Sequence, residues 1–239
     1  MNKIYKKNEV TFAIIMIVIY VLGTSISEVI SENIGINKLV PAVFHCIFAA
    51  LVAVWIFKNG YAEKYGLTIP RYKLVKAWFF IPLIVVAFFG LIFGIEFQYD
   101  MIETILYVIS MVCVGFLEEV IFRGFLFVGM AKTNVKSAII VSSLTFGIGH
   151  IVNLFNGQDI LDTLLQIIFA VAVGFALVIV FYKGKSLLPC IVFHALNNSL
   201  SAFEKTSTTK TDMILVGAFI VILTVYALNM KKKLDVSQE

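Results

Sequence analysis

Apolar runs of about twenty residues, each long enough to cross a bilayer as a helix, recur along the chain at 10–30, 39–57, 74–97, 104–131, 135–154, 162–182, 186–203 and 213–229. Nothing else in the sequence restricts the fold so sharply. Only helices and closed barrels cross lipid with every backbone polar group satisfied, and the period-2 alternation of barrel strands is absent. The sequence therefore predicts an all-α, polytopic membrane protein of about eight transmembrane helices, one integral membrane domain over residues 1–239. Composition agrees. Of the 239 residues 60% are hydrophobic and 14% charged, against about 25% charged in a soluble domain. So few charges cannot cover a water-soluble globule of this size, and disorder is excluded more firmly still.

The placement of those charges gives an orientation. Lys3, Lys6 and Lys7, then Lys58, Lys64, Arg71, Lys73 and Lys76, then Lys132 and Lys136, Lys183 and Lys185, and Lys231, Lys232 and Lys233 all fall on one side. The other side receives Lys38, Lys205 and Lys210 together with Glu32, Glu96, Asp100, Asp159, Asp162 and Glu204. The excess of Lys and Arg on cytoplasmic loops predicts that both termini are cytoplasmic, and an even number of spans requires the same. The first run is longer than a signal-peptide core and lacks a small-residue cleavage site, so it reads as a retained span. Cys46, Cys113 and Cys190 lie within apolar runs and suggest no disulfide framework. No basic stripe interleaved with aromatics supports nucleic-acid binding. Gly90 and Gly94 form a GxxxG in the third run, read as ordinary close packing.

Ionisable groups within spans are expensive and functional by default. The fourth run carries Glu118, Glu119 and Arg123 within six residues, a cost of roughly 9 kcal/mol if added on the insertion scale. They must face other helices or a wet cavity. Glu119 and Arg123 are four apart with the acid first, the favourable order for an ion pair. Glu118 lies about 100° round the helix and is left as an unpaired carboxyl, to be protonated or balanced by a cation or an imidazolium. A carboxyl so placed is a natural general base. The fifth run ends in Phe146-Gly147-Ile148-Gly149-His150, and the seventh carries His194 and Asn198 one turn apart on one helix face. His45 has no acidic or amide companion nearby and reads as a hydrogen-bonded packing residue. At 1.5 Å per residue, Glu118 lies about 21 Å from Lys132, His150 about 21 Å from Lys136, Asn198 about 20 Å from Lys185 and His194 about 14 Å. These depths allow the groups to converge on one water.

Glu118-Glu119-x-x-x-Arg123, Phe146-x-x-x-His150 and His194-x-x-x-Asn198, in that order and each inside an apolar run, resemble the three motifs of the CPBP intramembrane proteases, also called the CAAX protease and bacteriocin-processing (Abi) family. The motif-bearing core spans about 104–203; before it the resemblance rests on hydropathy and a Gly66-Leu67-x-x-Pro70 loop. The resemblance implies an intramembrane endopeptidase acting on a hydrophobic or lipid-anchored peptide or protein, by CAAX-type or leader-peptide processing. It implies that Glu118 and His150 activate water and that His194 and Asn198 stabilise the oxyanion. Its catalytic set is thus Glu118, Glu119, His150, His194 and Asn198, with Arg123 as a structural ion-pair partner. Zinc held by Glu118, His150 and His194 is permitted, and so is a metal-free glutamate mechanism in which a charged His150 balances the spare carboxylate. A non-enzymatic immunity or scaffold protein and an ion-coupled transporter are the alternatives. Short loops rich in lysine on the inner side suit a prokaryotic plasma membrane.

Overall fold

The structure, a computed structural model, describes residues 1–69, 80–155, 157–205 and 209–235. Residues 70–79, with Pro70, Arg71, Lys73, Lys76 and the start of the third apolar run, lie outside the described residues, as do the side chains of Lys210, Lys231, Lys232 and Lys233. Among the described residues the architecture is all helical. A short α1 (Asn2–Lys7) leads into α2 (Glu9–Ile34) and α3 (Leu39–Lys58). After the undescribed stretch come α4 (Ile81–Phe88), α5 (Met101–Glu118), α6 (Val128–Ala131), α7 (Val135–Ile148), α8 (Ile160–Gly184), α9 (Leu188–Leu200) and α10 (Thr209–Asp235). A π-helical segment, Glu119–Phe127, joins α5 to α6 in one continuous helix, and short 3-10 turns extend α4, α7 and α9. This is an integral membrane protein.

Local chemistry sets the helix bounds. The side chains of Asn8, Asp100, Asn134 and Asp159 accept hydrogen bonds from backbone N–H groups in the first turns of α2, α5, α7 and α8, satisfying donors that have no partner within the helix. Among the described residues, five helices are long and apolar enough to cross a bilayer: Glu9–Ile34, Leu39–Lys58, Met101–Ala131, Val135–Leu154 and Ile160–Gly184. Two shorter apolar stretches, Ile81–Ile92 and Val216–Asn229, stand beside them, and α9 has only 13 residues.

The third apolar run ends earlier than hydropathy alone predicts. Its helix stops at Phe93, and Gly94 turns the chain with φ 120°. Ile95 then forms an isolated antiparallel bridge with Glu204, and the Glu96 and Gln98 amides donate to the carbonyls of Phe203 and Ala202 at 2.9 and 3.2 Å. Gly90 and Gly94 therefore form no helix–helix face. Gly90 packs on the carboxyl of Glu204, which lies in the space a Cβ would need.

Helix α5 packs against α3 on one side and α9 on the other, while α7 and α10 both pack on α8. The π-segment lies between α2 and α7, and all nine of its residues are buried. One end of the core is aromatic: Tyr5 meets Trp55 edge-on at 5.0 Å, and Phe12 and Tyr65 meet Phe125 at 5.1 and 5.0 Å. Such pairs contribute about 0.5–1.5 kcal/mol each beyond area burial. Here they tie α1, α2 and α3 to the π-segment, the element that begins at Glu119.

Candidate active site

The charged residues of the π-segment point inward. Glu119 and Arg123 have no exposed surface, and Arg123 Nη1 lies 3.0 Å from Glu119 Oε1. None of the three guanidinium nitrogens makes a hydrogen bond to the described residues. Instead the guanidinium carbon sits 4.2 Å from the centroid of the Phe146 ring, in cation–π contact with the first residue of the second motif.

Glu118 faces another way, as the 100° step of the helix requires. Its counter-charge comes from α9. His194 Nδ1 lies 2.9 Å from Glu119 Oε1, and its Nε2 lies 3.0 Å from Glu118 Oε2. A carboxylate accepts only, so a doubly protonated ring suits both contacts. The sequence argument gave this balancing role to His150; the structure places His194 there. Arg123, Glu119, His194 and Glu118 thus form a row of alternating charge, each member buried.

A close helix crossing makes the row. A Cβ on Gly115 would lie 2.6 Å from the backbone N of Ala195 and 2.8 Å from its Cα. Only glycine lets α5 and α9 approach so nearly, three residues before Glu118 and one after His194. On the other flank, Ser142 of α7 donates to the Phe122 carbonyl at 2.9 Å. A side chain inserted into the helix ladder is a recognised cause of local deformation, and π-segments cluster at functional sites.

Two cavities adjoin the row. The smaller, of about 90 Å³, is lined by Glu118, Tyr20, Thr24, His150 and Asn153, with Phe146 among its apolar walls. The larger, of about 260 Å³, is lined by His150, His194, Asn197, Asn198, Tyr107 and Gln166 with an apolar remainder. His150 and Phe146 line both. Glu118 and Asn198 therefore do not share one chamber; His150 stands between them. Its Nδ1 lies 3.2 Å from the Phe146 carbonyl. Since a carbonyl can only accept, Nδ1 is the donor in this contact, which leaves Nε2 to face the cavities. Asn198 Oδ1 accepts from Asn197 Nδ2 at 3.3 Å, which leaves the Asn198 amide donors available.

Sequence reasoning missed Tyr20. Its hydroxyl, on α2, donates to Glu118 Oε1 at 2.7 Å in a buried hydrogen bond. It also missed Phe146 as the platform beneath Arg123. His45 is a bonded packing residue, with its two nitrogens 2.9 Å from Thr24 Oγ1 and 2.8 Å from Ser110 Oγ. Cys190 lies 3.5 Å from the Leu177 carbonyl, to which its thiol donates.

The zinc set expected at Glu118, His150 and His194 can be tested on its donors. Among the described residues no three His, Cys, Asp or Glu side chains gather closely enough to hold one ion. Both His194 nitrogens face carboxylates, at 3.0 and 2.9 Å, so each is already engaged by a glutamate.

Buried carboxylates, imidazoles and an amide beside two cavities, all within apolar segments, define the class: a membrane protein with a buried polar site inside its bundle. A family model described as Type II CAAX prenyl endopeptidase Rce1-like matches residues 100–200. The segment from Glu118 to Asn198 is therefore similar to that family, in agreement with the resemblance of its motifs, and α2 with Tyr20 lies before the match. No curated protein matches the chain.

Proposed function

We propose that the chain is an intramembrane endopeptidase that hydrolyses a peptide bond in a hydrophobic or lipid-anchored peptide or protein. The observation that carries this reading is the bridging of Glu118 and Glu119 by His194 beside two cavities that meet at His150. The smaller cavity far exceeds the ~10–15 Å³ that one water needs, and it offers the polar partners a buried water requires. In it a water donates one hydrogen to Glu118 and the other to His150 Nε2, turning an oxygen lone pair toward the larger cavity.

The chemistry then follows from the residues. Glu118 takes a proton as the water oxygen attacks the scissile carbonyl carbon. The oxyanion that forms accepts from the Asn198 amide, a donor aimed where charge develops. The proton on Glu118 passes to the leaving nitrogen, the C–N bond breaks, and a carboxyl and an amine are released. His194 holds both glutamates rather than the oxyanion, and Tyr20 fixes the orientation of Glu118.

The family description makes a prenylated CAAX terminus the first substrate class to try, with hydrophobic leader peptides second. The reading keeps eight crossings of a prokaryotic plasma membrane, with both termini on the basic, cytoplasmic side. The test is cleavage of a farnesylated Cys-aliphatic-aliphatic-X peptide, and of a hydrophobic leader peptide, by purified protein in detergent. Glu118→Gln and His150→Ala are each expected to lower kcat at least a hundredfold while insertion and yield stay normal. Full activity in both variants would overturn the water-activation scheme. No cleavage of either peptide by the unaltered chain would favour an immunity or scaffold role.

A further inference from the structure

A further pocket, separate from the two cavities just described, opens where several spans end. It has a volume of about 360 Å³ and lies against the end of α6, the start of α7, the end of α8 and the loop after α3. Three lysines line it: Lys64, Lys132 and Lys185. Its floor is apolar, built by side chains such as Phe127, Val128 and Phe181. A cationic rim over an apolar floor at the ends of membrane spans complements one kind of molecule, a lipid whose phosphate is anionic.

The charges in this pocket do not cancel. Lys64 and Lys132 share a single carboxylate oxygen, Glu9 Oε1, at 2.8 and 2.7 Å. Burial works against the Lys64 charge, but hydrogen bonds to Glu9 and Tyr5 outweigh it and raise the pKa, so the ammonium persists. Lys185 is exposed and makes no ion pair with the described residues; its ammonium lies 4.6 Å from the Tyr182 ring centroid. It follows α8 in the left-handed region, φ 56°, where glycine is usual. Three lysines therefore face two carboxylates, Glu9 behind the rim and Glu63 on it, leaving a positive balance. Gly66 closes the pocket edge: it has φ 65°, and a Cβ there would meet Phe181 at 2.6 Å and the Lys185 carbonyl oxygen at 3.1 Å.

We propose that this pocket is a headgroup site for an anionic phospholipid, with the phosphate at Lys132 and Lys185 and the start of an acyl chain on Phe127 and Phe181. Basic pockets between helices at a membrane surface bind such headgroups, each lysine contributing about a fivefold gain in affinity. The site is independent of the proposed peptidase chemistry, because none of its residues belongs to that machinery.

The experiment measures binding of phosphatidylglycerol and phosphatidylcholine to the full chain, delipidated in detergent, by native mass spectrometry, with thermal unfolding alongside. Phosphatidylglycerol is expected to bind about 25-fold more tightly than phosphatidylcholine, about fivefold for each of the two lysines, and to raise Tm. Lys185→Ala should lose about fivefold of that preference and Lys132→Ala/Lys185→Ala nearly all of it, while Lys185→Arg keeps it. Lys185→Ala removes no ion pair, so it stays informative if the double variant does not fold. Equal binding of the two lipids, or an undiminished preference in Lys185→Ala, would overturn the proposal. Inorganic phosphate at matched concentration should give no shift in Tm; a shift as large as the lipid's would reassign the pocket to a soluble phosphate and overturn the lipid site.

Discussion

Replacing Tyr20 with Phe removes one oxygen and nothing else. The ring stays in the core, where Tyr20 is buried, so no cavity forms. What is lost is the 2.7 Å hydrogen bond to Glu118 Oε1, to which no other donor among the described residues is directed. A hydrogen bond to a charged group contributes about 1.5–3 kcal/mol. If the bond holds Glu118 in its reactive orientation, that loss falls on the transition state and corresponds to about a 10- to 150-fold drop in kcat. Tyr20 lines the small cavity and not the larger one, so KM should stay within about twofold. Steady-state cleavage of the farnesylated peptide by Tyr20→Phe, with Glu118→Gln as reference, checks this. An inactive Glu118→Gln beside a Tyr20→Phe with unchanged kcat would refute the role of Tyr20 alone. An active Glu118→Gln would instead refute the water-activation scheme.

Four further outcomes follow from the same geometry. Gly115→Leu should force α5 away from Ala195, at a cost of about 1–3 kcal/mol, and abolish cleavage as His194 leaves the glutamates; thermal unfolding and peptide cleavage read the two effects. Arg123→Met should destabilise by about 3–5 kcal/mol, because it strands a buried carboxylate. Adding Glu119→Gln should recover part of that loss in Tm without recovering activity. Asn198→Ala should lower kcat by about 10²–10³ with little change in KM. Burial pushes the Glu204 carboxyl pKa up, so its charged form opposes folding once pH exceeds the ordinary carboxyl range. Glu204→Gln should therefore raise Tm at pH 7, and the difference should shrink as pH falls and the wild-type carboxyl takes its proton.

Most helix positions could be read from the sequence because lipid imposes a length on every apolar run, and α2, α3 and α8 fall within a few residues of the expected bounds. The departures have local causes that hydropathy does not register. Asp100 caps α5, which starts at Met101, three residues before the expected start at 104. Gly94 ends the third helix because of its backbone angle, whatever the hydropathy of Ile95 and Phe97. In the site, the spacing of Glu119 and Arg123 identified their ion pair. The same arithmetic put His194 some 7 Å shallower than Glu118 on the 1.5 Å rise of an α-helix, yet the two touch. Nine of the residues between Glu118 and Lys132 are π-helical, and a π-helix advances less per residue, so Glu118 lies nearer that helix end than a uniform α-helix would place it. No sequence pattern reports the π-segment. Tyr20 did leave a trace: it lies about 20 Å beyond Lys7 at the α-helical rise, a hydroxyl at the depth assigned to the carboxylates and His150.

Two glutamates in succession look redundant until the charges are counted across helices. A lone carboxylate within the bundle would carry a desolvation cost of several kcal/mol with nothing to offset it. Pairing it with an imidazolium alone would leave His194 free to swing, since one contact does not fix a ring. Glu119 removes that freedom by holding the other nitrogen at 2.9 Å, and Arg123 in turn balances Glu119 at 3.0 Å. The row of four is neutral as a whole and alternates in sign along its length. Each inner charge is thus attracted from both sides, and Glu118 sits at the end that meets the small cavity. Adjacent positions on a helix point about 100° apart, which is why one glutamate can face the water while the other faces the arginine. On the proposed reading, the doubling separates two tasks that a single carboxylate could not perform together: accepting a proton, and anchoring the histidine that faces the acceptor.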